Sequence, residues 1–374
     1  MTSVLYSNYI IDGVEQELTP SQILDSCLAG KPAERPEGRF EDIVDESIDP
    51  FIRPCVTDVE KIDEYLKMVL AERAPRKAAG LPFLDFYTRQ KIALHLIEAI
   101  WRKGHFKLSN LALTLDWKWD SSPLGSLASF YNSVSAAGDY IDALGIRLKS
   151  YSYSETPHRS SLTVKTSVLR EDGPEEEIEE ENADPRLGTQ RARPAKFLDD
   201  GSAWIVYVPF DDGKFRLGGS RLAAALGTSG EGTPQLLDAD YFIDCYEVVR
   251  EMVEDGVAIA GTTVGEGGLM AALQKMTGDG TGAEVDLGGL IHATGEKDIV
   301  RLLFAEVPGV VMQITDIDYD YVDAEFLLQD VAFFPLGHIV RGRSSVTVKV
   351  TDQSPVSGIL ESILRSQSSS EGED

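Results

Sequence analysis

Two glycine-rich segments are the first places where this sequence could do chemistry. In Asp211–Gly227, the pair Gly218-Gly219 precedes Ser220 and a short apolar run; in Gly261–Met276, Gly265-Glu266-Gly267-Gly268 precedes another. Glycine lets a backbone approach a ligand closely, and a helix N-terminus offers free N–H groups to an anion. Gly218, Gly219, Ser220, Gly265, Glu266, Gly267 and Gly268 are therefore candidate nucleotide-binding residues. Neither segment spells the G-x-x-x-x-G-K-[ST] or the dinucleotide glycine pattern, so a tight turn is the alternative for each. Glu266 suits a Mg²⁺ ligand; an acid favoured by the helix dipole is the equal alternative. Asp116, at a strand end beside Trp117 and Trp119, is a second candidate metal carboxylate or else a turn residue. His158, Arg159 and Ser160 make a candidate phosphate site in a polar loop, where plain surface residues are the alternative. Glu306, ahead of Pro308-Gly309, is a lesser site candidate. His95 falls in an apolar helical pattern and is expected to be packed, while His292 and His338 have no partner nearby in sequence. Nothing places a Ser/His/Asp or Cys/His set together, so no catalytic residue is assigned.

The elements that must position these residues follow from periodicity. Ile92, Leu96, Ala99 and Ile100 mark a helix ending before Gly104. Leu127, Tyr131, Val134, Gly138, Ile141 and Leu144 mark another, with Gly145 as its C-terminal cap. Ser109–Leu115, IRLKSYSYS and LTVKTSVL read as strands, and so do AWIVYVP, GVVMQI and VTVKV. Phe242, Tyr246, Val249 and Val253 form one face of a helix capped near Asp238 or Asp240, and Leu269, Ala272, Leu273 and Met276 form a shorter helix. Helices and strands alternate without a strict βαβ repeat, which predicts an α+β fold. The expected layout is an irregular acidic segment over 1–75, a first domain over 76–170, an acidic linker or loop over 171–195, a second domain over 196–350 and a disordered tail over 351–374. The second domain is expected to carry helices on one face of its sheet.

Charge and composition restrict the partners. The 374 residues hold 62 Asp+Glu against 35 Lys+Arg, a formal net charge of −27. Such a chain is repelled by nucleic acid and by anionic membrane surfaces, and no apolar stretch is long enough to span a bilayer. Glu171–Asp184 holds nine carboxylates in 14 residues without a base, which reads as a solvated linker or mobile loop. Cys27, Cys55 and Cys245 form a sparse, odd set that fits a reducing, cytoplasmic setting.

Read in order, several segments resemble phosphoribosylformylglycinamidine synthase of the aminoimidazole-ribotide synthetase superfamily, and more closely one homologous half of its long form. The resemblance runs from about Leu81 to Val350. Leu115–Pro123 stands where that family has D-x-L-N-F-G-x-P, and Ser154–Thr166 where it has K-D-S-M-S-M-K-T. Leu217–Ala223 resembles L-G-G-S-x-L-A, Gly265–Leu273 resembles S-D-G-G-L-x-x-A-L, Gly282–Leu287 resembles G-x-x-x-D-L, and Leu303–Gly309 resembles L-F-x-E-x-x-G. The resemblance implies a two-domain fold in which an N-terminal sheet joins a partner's sheet in a dimeric barrel-like core, beside a C-terminal α/β sandwich. It implies ATP and Mg²⁺ as cofactors, a homodimer or pairing with a homologous synthase half, and a glutaminase partner supplying ammonia. The departures fall on the polar positions. The family's H-D-R-S-D ahead of the second glycine pair is replaced by Thr262-Thr263-Val264-Gly265-Glu266, with Glu266 in place of the Asp, and its Lys-Asp-Ser by His158-Arg159-Ser160-Ser161. The expected protein is thus synthase-like with a degenerate nucleotide site and a structural or regulatory role. An active ATP-dependent ligase of the superfamily and a non-catalytic assembly protein are the alternatives.

Overall fold

Alternating and continuous apolar runs fold into two main sheets. A computed structural model describes residues 3–30, 61–72, 84–168, 190–211, 214–227 and 232–351. The N-terminal part runs α1 (Ser3–Tyr6), β1 (Ile10–Ile11), β2 (Val14–Glu15), α2 (Pro20–Leu28), α3 (Ile62–Ala71), α4 (Leu84–Ile100), β3 (Leu111–Trp119), α5 (Ser126–Ala143), β4 (Arg147–Glu155) and β5 (Ser161–Val168). The C-terminal part runs β6 (Trp204–Pro209), α6 (Arg221–Ala225), α7 (Ala239–Glu254), β7 (Ala258–Val264), α8 (Gly268–Met276), β8 (Thr281–Asp286), α9 (Gly288–Thr294) and α10 (Ile299–Phe304). It closes with β9 (Gly309–Ile314), α11 (Tyr319–Leu328), β10 (Phe334–Arg341) and β11 (Val346–Lys349).

In the N-terminal sheet the order is β4-β3-β5, with β3 parallel to β4 and antiparallel to β5. The parallel pair needs a crossover, and α5 supplies it. Leu111, Leu113, Leu115, Trp117 and Trp119 alternate onto the buried face. The opposite face aligns Thr114 with Ser150, Asp116 with Ser152 and Lys118 with Ser154. Among the described residues this sheet is open, with three strands and a polar outer face; no barrel closes. Asp116 is also not at a strand end, because β3 continues through the two tryptophans to Trp119.

The C-terminal sheet has the order β11-β8-β10-β6-β9-β7 and is mixed, with only β11 and β8 parallel. Helices cover both of its faces, which corrects the one-face expectation. The reason lies in β6 and β9, whose residues are apolar on both sides. Val206, Val208, Val310 and Met312 pack with α7 and with α4 and α5 of the N-terminal part, whereas Ile205, Tyr207 and Val311 pack with α3, α8 and α10. One core therefore joins the N-terminal helices to the C-terminal sheet.

The segment before residue 75 is not irregular where it is described. Thr19 caps α2 in a reciprocal box: its hydroxyl accepts the Gln22 N–H, the Gln22 side chain accepts the Thr19 N–H, and Pro20 opens the helix. Helix α3 seats Leu66 and Val69 in the core with α8 and α10. The DIVDESIDPFIRP stretch, Cys55, the Glu171–Asp184 run and the tail lie outside the described residues; Cys27 and Cys245 are buried free thiols.

Candidate functional site

The two glycine segments meet, and what joins them is a carboxylate of the chain itself. Ser220 caps α6 by accepting the Ala223 N–H at 3.1 Å, so the Arg221 N–H at the start of that helix points away from the cap. Gly267 caps α8 with φ +86°, and its own N–H has no partner within the helix. Both N–H groups, Arg221 and Gly267, donate to Glu306 Oε1 at 2.8 Å. Glu306 is 2% exposed. Its backbone carbonyl accepts the Gln90 side-chain amide at 2.7 Å, which ties α4 to the same point. Two helix starts thus share one internal anion, in the manner of a bound phosphate or carboxylate. Glu306, only a lesser candidate on sequence, stands at the centre of the junction; its place in the L-F-x-E-x-x-G segment is the signal that points to it.

The glycines answer to packing at this junction. A Cβ on Gly218 would lie 2.1 Å from the Gly232 carbonyl oxygen, and one on Gly268, at φ +71°, would lie 2.6 Å from the Leu303 carbonyl oxygen. Glu266 is engaged as well. The Arg221 guanidinium donates to its carboxylate through Nε at 2.8 Å and through Nη2, and Nη1 donates to the Glu72 carbonyl at the end of α3 at 2.6 Å. Asp116 accepts the Ser152 hydroxyl on the outer face of the N-terminal sheet. The two proposed metal carboxylates therefore stand apart, Asp116 on β3 and Glu266 in the turn between β7 and α8, each with its own partner. Among the described residues no group of three or more His, Cys, Asp or Glu is placed to hold a metal ion. The Glu266–Arg221 and Asp116–Ser152 pairings do not fit a Mg²⁺ site.

His158, Arg159 and Ser160 lie in the β4–β5 turn, where His158 and Ser160 bond to Asp120. Asp120 Oδ1 accepts the Ser122 N–H at 3.0 Å and its hydroxyl at 2.5 Å, Oδ2 accepts the His158 N–H at 2.8 Å, and the Asp120 N–H donates to Ser160 Oγ at 3.0 Å. Hydrogen bonds from the Ser122 hydroxyl and backbone, then from His158, hold the Asp120 carboxyl below the usual range. His158 sits at φ +66° while it and Arg159 remain exposed. The turn is pinned to the end of β3 by these bonds, with Ser160 as part of the latch.

Beside the glycine junction lies a cavity of about 530 Å³, bounded by Leu70 of α3, His95 and Glu98 of α4, Thr263, Glu266 and Lys275. His95 is exposed on its rim, not packed as expected. Its Nδ1 lies 2.8 Å from the Lys91 carbonyl. Loss of water around the ring, then the Lys91 and Arg102 charges, lower its pKa below the usual imidazole value even though the residue is more than a third exposed. Glu98 pairs with Arg191 at 2.9 Å and accepts the Thr263 hydroxyl at 2.7 Å, and Thr263 in turn accepts the Trp101 indole N–H at 3.0 Å. The cavity wall is a preset mixture of acid, base and apolar surface.

Residues 213–349, which carry both glycine helices and Glu306, match the family described as AIR synthase related protein, C-terminal domain. Phosphoribosylformylglycinamidine synthase from Homo sapiens is 27% identical over 153 residues, covering 41% of this chain and 11% of that protein. The probable chloroplastic/mitochondrial phosphoribosylformylglycinamidine synthase from Arabidopsis thaliana is 30% identical over 142 residues, 38% of this chain and 10% of that one. The chain resembles one half of that synthase. It spans about a tenth of the length of these curated relatives in the matched region. Among solved structures, PurLQS from Thermotoga maritima aligns with TM-score 0.48 and 12% identity, over 73% of this chain and 41% of that one. The synthase-like segments Leu217–Ala223, Gly265–Leu273 and Leu303–Gly309 are the three that converge on Glu306. No helix among the described residues is long and apolar enough to cross a membrane.

Proposed function

We propose that this chain is a phosphoribosylformylglycinamidine-synthase-like protein of purine biosynthesis whose nucleotide site is degenerate, and that it acts as a structural or regulatory half. The observation that carries this reading is Glu306. A buried internal carboxylate already accepts from both glycine-loop helix starts, so an incoming phosphate would have to displace it or bind elsewhere. Arg221 likewise holds the one acid of the second loop, Glu266. In this reading residues 76–170 and 196–350 act as the two synthetase-like units joined by 171–195, the chain works in the cytoplasm, and the β4–β3–β5 sheet offers its edges to a second copy or to a homologous half. A glutaminase partner would be needed only if the chain makes amidine.

A second reading, an active ATP-dependent ligase on an altered substrate, is favoured by one feature: the cavity beside the junction brings His95, Lys275 and Glu98 to one wall. Thermal shift with MgATP and MgADP separates the two. Unchanged melting at millimolar nucleotide is expected. A saturable rise that disappears in Glu266→Ala would overturn the degenerate-site reading in favour of the ligase.

A further inference from the structure

We propose that the outer face of α11 docks a basic amphipathic helix of a protein partner. This helix is apolar on two sides. Val322 and Phe326 are buried in the core, and Tyr319 packs beside them. At 3.6 residues per turn, Ile317, Tyr321, Ala324 and Leu328 fall on the opposite side, at spacings of four, three and four residues. Ile317 belongs to the single 3-10 turn Asp316–Asp318 that leads into α11. It is 92% exposed, Leu328 is 76% exposed and Tyr321 44%; Leu327, on the adjacent line, is 78% exposed. Exposed apolar side chains scattered singly are normal on a surface. A stripe of them at helical spacing is the pattern of a helix-packing face. One such stripe of α11 already faces the core, and among the described residues nothing buries the second.

The flanks of the stripe select the occupant. Asp316–Asp330 holds six carboxylates and no Lys, Arg or His. Asp320 and Asp323 run along one side of the stripe, Asp318 and Glu325 along the other. Asp316 accepts the Trp204 indole N–H at 2.8 Å and Asp318 the Thr315 hydroxyl at 2.6 Å; both donors are neutral, so both charges remain. Loss of water around the Tyr321 hydroxyl, then the Glu325, Asp255 and Glu251 charges, raise its pKa above the ordinary tyrosine value, so the C-terminal end of α7 adds acids to the same rim. Arg250 of α7 does not offset them at the surface, because it is 4% exposed and pairs with Glu247, Glu251 and Glu254. A second copy docked face to face would set this acidic rim against itself, and nucleic acid or an anionic bilayer would be repelled. A partner helix with apolar residues at the same spacing and Lys or Arg beside them meets both the stripe and its rim. The stripe spans about 16 Å at 1.5 Å per residue, so about three turns of partner suffice. So small a contact suits transient binding.

Fluorescence anisotropy on the full chain with a labelled synthetic peptide tests this. The peptide has about 15 residues, with leucines at i, i+4, i+7 and i+11 and lysines on both flanks. One peptide is expected to bind per chain with a micromolar Kd, and more weakly as salt rises. Ile317→Ser combined with Leu328→Ser should weaken binding about tenfold or more. Asp320→Asn combined with Asp323→Asn should weaken it about three- to tenfold and flatten its salt dependence. All four side chains are exposed, so both double variants should keep the wild-type melting temperature. Leu124→Ser, which removes an exposed leucine from the turn before α5, should leave binding unchanged. Peptides with serine for leucine, or glutamate for lysine, should bind at least about tenfold more weakly. No saturable binding, an unchanged affinity in the Ile317→Ser, Leu328→Ser variant, or equal binding of the serine peptide would each overturn the proposal. A wild-type dimer in sedimentation that Leu328→Ser dissolves would overturn it in favour of a second copy.

Discussion

Replacing Glu306 by alanine removes the acceptor for two helix-start N–H groups at once. Both bonds are 2.8 Å long and are made to a charged oxygen in a site that is 2% exposed. Hydrogen bonds to charged groups contribute about 1.5–3 kcal/mol each, so the pair is worth roughly 3–6 kcal/mol. Burying the carboxylate costs part of that, because the ion loses its hydration; releasing it returns this share. The expected net loss for Glu306→Ala is about 3–4 kcal/mol. Glu306→Gln keeps an oxygen in place without the charge and should lose about 1–2 kcal/mol. Urea unfolding with linear extrapolation measures both, with unchanged slopes expected if the native and unfolded states keep their compactness. Adding acetate should restore stability to Glu306→Ala more than to the wild type, since the freed N–H groups regain an anion. A loss below about 1 kcal/mol in Glu306→Ala, with no acetate effect, would refute the shared-anion account.

Two further outcomes follow from named contacts. Gly261→Ala places a Cβ 2.2 Å from Trp101 Cη2 and 2.9 Å from the Val311 carbonyl oxygen; it should cost about 1–3 kcal/mol in the same unfolding assay, as overpacking does in other cores. Asp120→Asn should make the stability less dependent on pH at the acid end. The folded carboxyl is held below its usual value, so its contribution is present above the unfolded value near 4 and is lost as pH falls through the lower folded value. The gap between wild type and Asp120→Asn should therefore be full at pH 6 and close below about pH 4, as followed by unfolding at a series of pH values; a gap that widens on acidification would reverse the assignment.

Much of the scaffold was legible in the sequence because local signals agreed with the tertiary outcome. The periodic runs gave α4, α5, α7 and α8, and GVVMQI matches β9 residue for residue. Gly145 caps α5 as expected, with φ +63°. The Thr19-Pro20-Ser21-Gln22 box was also present, but the surrounding acid and turn residues masked it. Strands β7, β8 and β10 are rich in glycine, threonine or charge, so no period announced them. The continuous apolar character of AWIVYVP did point to burial on both faces, which is the physical reason helices flank the C-terminal sheet on each side. For the site, residue type and spacing located both glycine loops. They could not reveal that the two loops share one acceptor, because Glu306 lies 39 residues from Gly267 in sequence. Nor could they reveal that Arg221 turns its guanidinium onto Glu266. Local glycine chemistry reads the same whether the anion is a nucleotide phosphate or the chain's own carboxylate.

Native-state hydrogen exchange at the Arg221 and Gly267 amides tests the central claim most directly. Both N–H groups should be strongly protected without nucleotide, to a similar degree, and their protection should not change on adding millimolar MgATP. Fast exchange at either amide in the absence of nucleotide, or protection that rises when MgATP is added, would contradict the claim that Glu306 holds the two glycine loops closed.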